Sequence, residues 1–138
     1  MPFHYEVIDN GRGVEFAGSG DLTGAEIIAV KQQLITLGEA MSSWRFAIVL
    51  LTGLDSFEIS VEDIHAIAEL EKAIAVHAPR VVLAVVAPRD HDFGMARMWE
   101  SIIDIPGWTT AVFRTRADAD AWMLDRLPSS SDAAEPRR

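Results

Sequence analysis

Phe3, Tyr5 and Val7 alternate with His4 and Glu6, a period of two that predicts a half-buried strand. Asp9-Asn10-Gly11 follows, and because Asn and Gly tolerate positive φ it predicts a hairpin turn. A second strand, about residues 14–18, returns antiparallel, and Ser19-Gly20-Asp21 is expected to break it. Thr23-Gly24-Ala25-Glu26 then reads as a capping box, the hydroxyl accepting from an early helix N–H while the carboxylate reaches back. The helix it opens carries Ile27, Ile28, Leu34, Ile35 and Met41 on one stripe, with Lys31, Gln32 and Gln33 between them.

Phe46-Ala47-Ile48-Val49-Leu50-Leu51 is a continuous apolar run, which suggests a strand covered on both faces. Thr52 to Ser60 reads as the loop after it. Ser60-Val61-Glu62-Asp63 offers another N-cap, leading into Ile64, Ile67, Ala68, Glu71 and Ile74, and Pro79 ends that helix. Val81-Val82-Leu83-Ala84-Val85-Val86 is a second buried strand, stopped by Pro88. Asp90 or Asp92 is expected to cap a third helix through Phe93, Ala96, Trp99, Ile102 and Ile103. Residues 108–113 predict a short last strand, and Thr115-Arg116-Ala117-Asp118 caps a final helix that Pro128 stops.

The order is β-β-α-β-α-β-α-β-α. Strands separated by ten to fifteen helical residues imply right-handed crossovers, hence an α/β fold. Its sheet is expected to be five-stranded and mostly parallel, with an antiparallel edge hairpin. A single domain is expected over residues 1–127, and the small, polar segment 128–138 is expected to be a disordered tail.

Composition narrows the chemistry. At 138 residues, 49% hydrophobic and 24% charged, the chain is an ordinary globular one. It has no cysteine, which excludes disulfides, thiolate catalysis and cysteine-ligated metals. A formal charge of −9 argues against nucleic acid and anionic membranes as partners. Residues 1–71 hold twelve acids against Arg12, Lys31 and Arg45, while the second half is balanced. Between Arg45 and Lys72 lie six carboxylates and no base. That stretch is either a solvated face or an acidic docking surface for a basic partner. The first residues lack a basic segment followed by an apolar one, and no apolar run reaches the ~20 residues of a membrane span. A cytoplasmic location is expected.

Four histidines, His4, His65, His77 and His91, fall in four different elements, and none pairs at the i, i+4 spacing of a zinc hydrolase. His65 and Glu69 are one turn apart and read as a surface pair. His91 is the best isolated acid/base candidate, though a polar turn and cap at a helix start accounts for it better. There is no Gly-x-Ser-x-Gly elbow, Walker loop or dinucleotide fingerprint. Catalytic residues, metal and cofactor are all expected to be absent.

Ligands of open α/β sheets meet the loops at the carboxyl ends of the strands. Those here are Thr52 to Ser60 and Pro88 to Phe93, expected to be neighbours. The first supplies Asp55, Ser56, Glu58 and Ser60 which, with Glu62, form a candidate partner-binding surface. Phe57, Phe93, Met95, Met98 and Trp99 are candidates for an apolar groove, since Met and aromatic side chains line adaptable pockets.

Three stretches carry a resemblance: the strand ending at Pro88, Asp90 through Phe93-Gly94-Met95-Ala96-Arg97-Met98-Trp99-Glu100, and Val112-Phe113-Arg114 with Ala119-Asp120-Ala121-Trp122-Met123. Over about residues 3–127 the chain resembles the SpoIIAA-like family of STAS/Sec14-like bacterial proteins. The resemblance implies a β/α sheet of the order above and a non-enzymatic module. It implies binding of a protein partner, switched in the name-giving proteins by phosphorylation of a serine where the second helix begins. That position falls on the stretch from Asp55-Ser56 to Ser60, where Asp55-Ser56-Phe57-Glu58 replaces the Asp-Ser-Ser/Thr-Gly core. A phosphate at Ser60 would be favoured by the helix end and opposed by Glu58, Glu62 and Asp63. The resemblance also implies a small nonpolar, lipid-like ligand as the alternative occupant. An apolar strand edge or helix face would suit a homodimer.

Overall fold

The opening alternation becomes strand β1 (Phe3–Ile8), with Phe3 and Tyr5 packed into the core and His4 and Glu6 in solvent. The computed structural model describes residues 2–127, so the segment expected to be a disordered tail, 128–138, lies outside the described residues. Asp9, Asn10 and Gly11 take φ of 53°, 54° and 86°, the positive values the turn required. β2 (Gly13–Thr23) returns antiparallel, pairing Ile8 with Gly13 and Phe3 with Gly18.

Thr23 caps α1 (Gly24–Ile35) as its sequence predicts. Its Oγ1 accepts from the Glu26 N–H at 3.3 Å, and Glu26 Oε1 accepts from the Thr23 N–H at 2.9 Å. β3 (Phe46–Glu58), α2 (Val61–His77), β4 (Val82–Val86), α3 (Asp90–Ile102), β5 (Thr109–Phe113) and α4 (Arg116–Arg126) complete the order. The sheet runs β1-β2-β3-β4-β5, with β1 antiparallel and the others parallel. This is the expected mixed sheet with its edge hairpin.

β4 and the first half of β3, Phe46 to Leu51, are continuously apolar because both of their faces are covered. On one face Ala47, Val49 and Leu51 of β3 join Leu83 and Val85 of β4 beneath α1, α2 and α3. On the other, Ile48, Ala84 and Val86 pack against Ala119 and Met123 of α4. Toward the β1 edge that second face is polar, and Arg116 of α4 reaches Glu15 of β2 at 3.5 Å.

Three local expectations are corrected. Ser19-Gly20-Asp21 does not break β2, and Thr52 to Glu58 is not a loop: both segments stay extended and pair with each other. The ladder survives because it absorbs two bulges. From Ala17↔Leu50 to Ser19↔Gly53, and again from Gly20↔Leu54 to Asp21↔Ser56, β3 carries one more residue than β2. Each extra residue resets the alternation, so Leu51, Leu54 and Phe57 all turn into the core despite being three apart. Second, the residue capping α3 is Arg89, with no side-chain cap bond, while Asp92 is buried inside the first turn. Third, Glu69 pairs with Lys72 at 3.1 Å rather than with His65, because both are exposed and the ammonium is the permanent charge.

Candidate functional site

Pairing between β3 and β4 ends at Leu50↔Val86, so from Gly53 to Glu58 the β3 strand is held by β2 alone. The two form a ribbon projecting past the carboxyl end of the sheet. Its outer side chains are the sequence candidates: Asp55 and Glu58 are exposed, and Ser56 donates from Oγ to Asp21 Oδ1 at 2.8 Å. Beyond it Ser60 begins α2, its Oγ accepting from the Asp63 N–H and Asp63 Oδ2 accepting from the Ser60 N–H, both at 3.0 Å. Glu62 is exposed in the same first turn. Asp55, Ser56, Glu58, Ser60 and Glu62 thus lie along one acidic rim, which Asp21 extends.

The stretch after β4 does adjoin this rim. Arg89 Nη1 donates to the carbonyls of Leu54 at 3.0 Å and Asp55 at 2.7 Å. Its Nε and Nη2 donate to Asp92 at 2.8 and 3.3 Å, a forked pairing that keeps the fully buried carboxylate satisfied. The hydrogen bond to Asp92, with the charges of Asp92 and Asp55, raises the Arg89 guanidinium above its usual range, against a smaller desolvation effect. His91 is exposed, and its Nε2 donates to the Phe57 carbonyl at 3.1 Å, which fixes the ring as a brace on the ribbon.

Behind the ribbon, between the sheet and α1–α3, lies a cavity of about 70 Å³. Its position is visible in the burial along β3. Ala47 and Leu51 are buried, yet Val49 between them on the same face is only half-buried. Phe57, Met95 and Trp99 line the cavity. Phe93 and Met98 do not: Phe93 lies under the Arg114 guanidinium, 4.3 Å from its ring centroid, and Met98 is exposed. At about 100° per residue those two fall on opposite flanks of the stripe that Ala96 and Trp99 define.

Two charged side chains interrupt the apolar lining. Lys31 of α1 is 5% exposed and Glu71 of α2 is 2% exposed, with Nζ and Oε2 3.3 Å apart. Trp99 of α3 donates from Nε1 to Glu71 Oε1 at 2.7 Å, and Lys31 Nζ sits 4.6 Å from the Phe16 ring centroid. Glu71 lies on the apolar stripe of α2, as its spacing predicts, whereas Lys31 is buried on α1 and is not the polar separator expected there. The signal was there: Lys31 is four residues after Ile27 and three before Leu34, on the face both occupy. Among the described residues no group of three His, Asp or Glu side chains is gathered as for a metal ion. No described helix is long and apolar enough to cross a membrane.

This architecture is a SpoIIAA-like, STAS-type fold. The chain is similar to the anti-sigma factor antagonist SpoIIAA in its unphosphorylated form, at 11% identity and a TM-score of 0.55, covering 91% of this chain and 99% of that one. An uncharacterized DUF3478-family protein with a SpoIIAA-like fold, from Shewanella loihica PV-4, gives 17% identity and a TM-score of 0.54 over 87% of this chain and 90% of that one. The Bacillus cell fate determinant SpoIIAA in its phosphorylated form gives 16% and 0.50, over 88% and 98%. No family model matches the sequence, and no curated protein matches it.

Proposed function

We propose that this protein is a non-enzymatic, cytoplasmic regulatory module that docks a protein partner carrying a basic surface. The acidic rim is the observation that carries this reading. Asp21, Asp55, Glu58 and Glu62 stand exposed around the ribbon and the start of α2, and the nearest base, Arg89, is already committed to Asp92 and to backbone carbonyls. Complementary charge at such a rim accelerates encounter and fixes orientation. The fold supports the same reading, since SpoIIAA is an anti-sigma factor antagonist known in unphosphorylated and phosphorylated forms. Here Ser60 serves as a helix cap and Ser56 is tied to Asp21, so recognition rests on the fixed carboxylates rather than on a phosphate.

The test is affinity capture with wild-type protein and with Asp55→Asn/Glu58→Gln/Glu62→Gln, checked for folding by circular dichroism. A partner held by the wild type, released by moderate salt and bound more slowly by the variant, is the expected result. Equal retention by both proteins would overturn the rim as the docking surface.

The cavity supports a second reading, a small apolar ligand. At about 70 Å³ it is roughly half the ~150 Å³ apolar cavity known to take benzene, so it admits a small molecule or the end of a chain. Native mass spectrometry of freshly purified protein should show such an adduct, and a bare mass in every preparation would count against it.

A further inference from the structure

From the Lys31–Glu71–Trp99 cluster we infer that the cavity selects a small apolar molecule bearing one neutral hydrogen-bond acceptor, a ketone or ester carbonyl, which Lys31 receives. This rests on the second reading above, that the cavity holds an apolar ligand at all. The polar capacity of the cluster is one-sided. Both oxygens of Glu71 are engaged, Oε1 by the Trp99 indole N–H and Oε2 by the Lys31 ammonium. An ammonium carries three N–H donors, and among the described residues Glu71 is the only carboxylate within ion-pair distance of it. The Phe16 ring covers one side of that ammonium, and Lys31 lines the cavity, so what polar character the wall offers a ligand is a charged donor, and the ligand must supply the acceptor.

Charge then narrows the acceptor. Lys31 and Glu71 together are neutral, and both are more than nine-tenths buried. A carboxylate beside them would leave a net negative charge in an apolar enclosure, and an amine a net positive one, each costly to desolvate. A carbonyl adds no charge while engaging an ammonium N–H. The apolar remainder of the molecule would lie against Val49, Ile64 and Met95, with its far end toward the half-buried Ile59.

The experiment uses the ¹⁵N-labelled full chain, with the Trp99 indole N–H as reporter, titrated with 2-pentanone, 1-chlorobutane, pentanoate and pentylamine. The expected result is that 2-pentanone shifts this resonance saturably and binds at least about tenfold tighter than 1-chlorobutane, as a hydrogen bond to a charged donor allows. Pentanoate and pentylamine bind more weakly than the ketone. In Lys31→Met/Glu71→Gln, which keeps an acceptor for Trp99 and replaces the charged donor by a neutral amide, 1-chlorobutane still binds and the preference for the ketone falls at least severalfold. Equal affinity for 2-pentanone and 1-chlorobutane in the wild type overturns the inference while leaving the apolar reading standing. Tighter binding of pentanoate or pentylamine overturns the neutral acceptor specifically. No response to any of the four overturns both readings of the cavity. The wild-type comparison stands by itself should the double variant fail to fold.

Discussion

Trp99 Nε1 donates a 2.7 Å hydrogen bond to Glu71 Oε1, tying α3 to α2 in the interior of the protein. Through Glu71 the link continues to Lys31, so one buried polar chain joins all three helices on that face of the sheet. Packing alone can be satisfied by many helix orientations, but a buried charge tolerates few, because any other arrangement leaves it unpaired.

Trp99→Phe keeps most of the ring volume and removes the donor, leaving Glu71 Oε1 without its partner. A loss of about 1–3 kcal/mol is expected. Urea unfolding followed by circular dichroism measures it, with the slope unchanged and the midpoint lowered.

Lys31→Met leaves the Glu71 carboxylate buried without a counter-ion and should cost about 3–5 kcal/mol. Lys31→Met/Glu71→Gln removes both charges, and its stability should return close to that of the wild type. A double-mutant cycle on the urea midpoints reads the coupling, and simple additivity of the two single losses would show that the charges do not act as a pair.

Ser60→Ala removes the acceptor for the Asp63 N–H at the start of α2, for an expected loss of about 1 kcal/mol. Gly24→Ala should weaken the same cap from the other side, since a methyl there runs into the Asp63 carboxylate. Hydrogen exchange at the first turn of α2 should rise in both variants.

Arg89→Met removes the ties to the Leu54 and Asp55 carbonyls, leaves the His91 brace in place and strands the buried Asp92, so the unfolding midpoint should fall and the Leu54–Glu58 amides should exchange faster. The sign of the pH effect follows from the raised guanidinium. A cation whose folded value lies above its unfolded one stabilises at all lower pH, and the contribution fades only in strong alkali. On Arg89's account, therefore, the wild type should keep this advantage unchanged between pH 5 and 9.

The candidate residues were legible in unequal measure. Asp55, Ser56, Glu58, Ser60 and Glu62 were placed on one edge by the strand-end rule, although the segment is a bulged ribbon rather than a loop. Leu51, Leu54 and Phe57 recur every third residue, out of step with a strand's period of two, so their shared burial in a strand was hidden until β2 supplied the register. In α3, Met95 and Trp99 reach the cavity while Phe93 and Met98 flank it, a separation the helical angle encodes but composition does not.

By itself the sequence determined the order of elements, the two-faced burial of the central strands and the capping of α1, α2 and α4. These depend on neighbours three or four residues away, and such signals survive in a linear string. Only the tertiary structure decided that Lys31 and Glu71, forty residues apart, share one interior site with Trp99. A lone charge on an apolar stripe is ambiguous until another element delivers its counter-ion, because only pairing makes burying it tolerable.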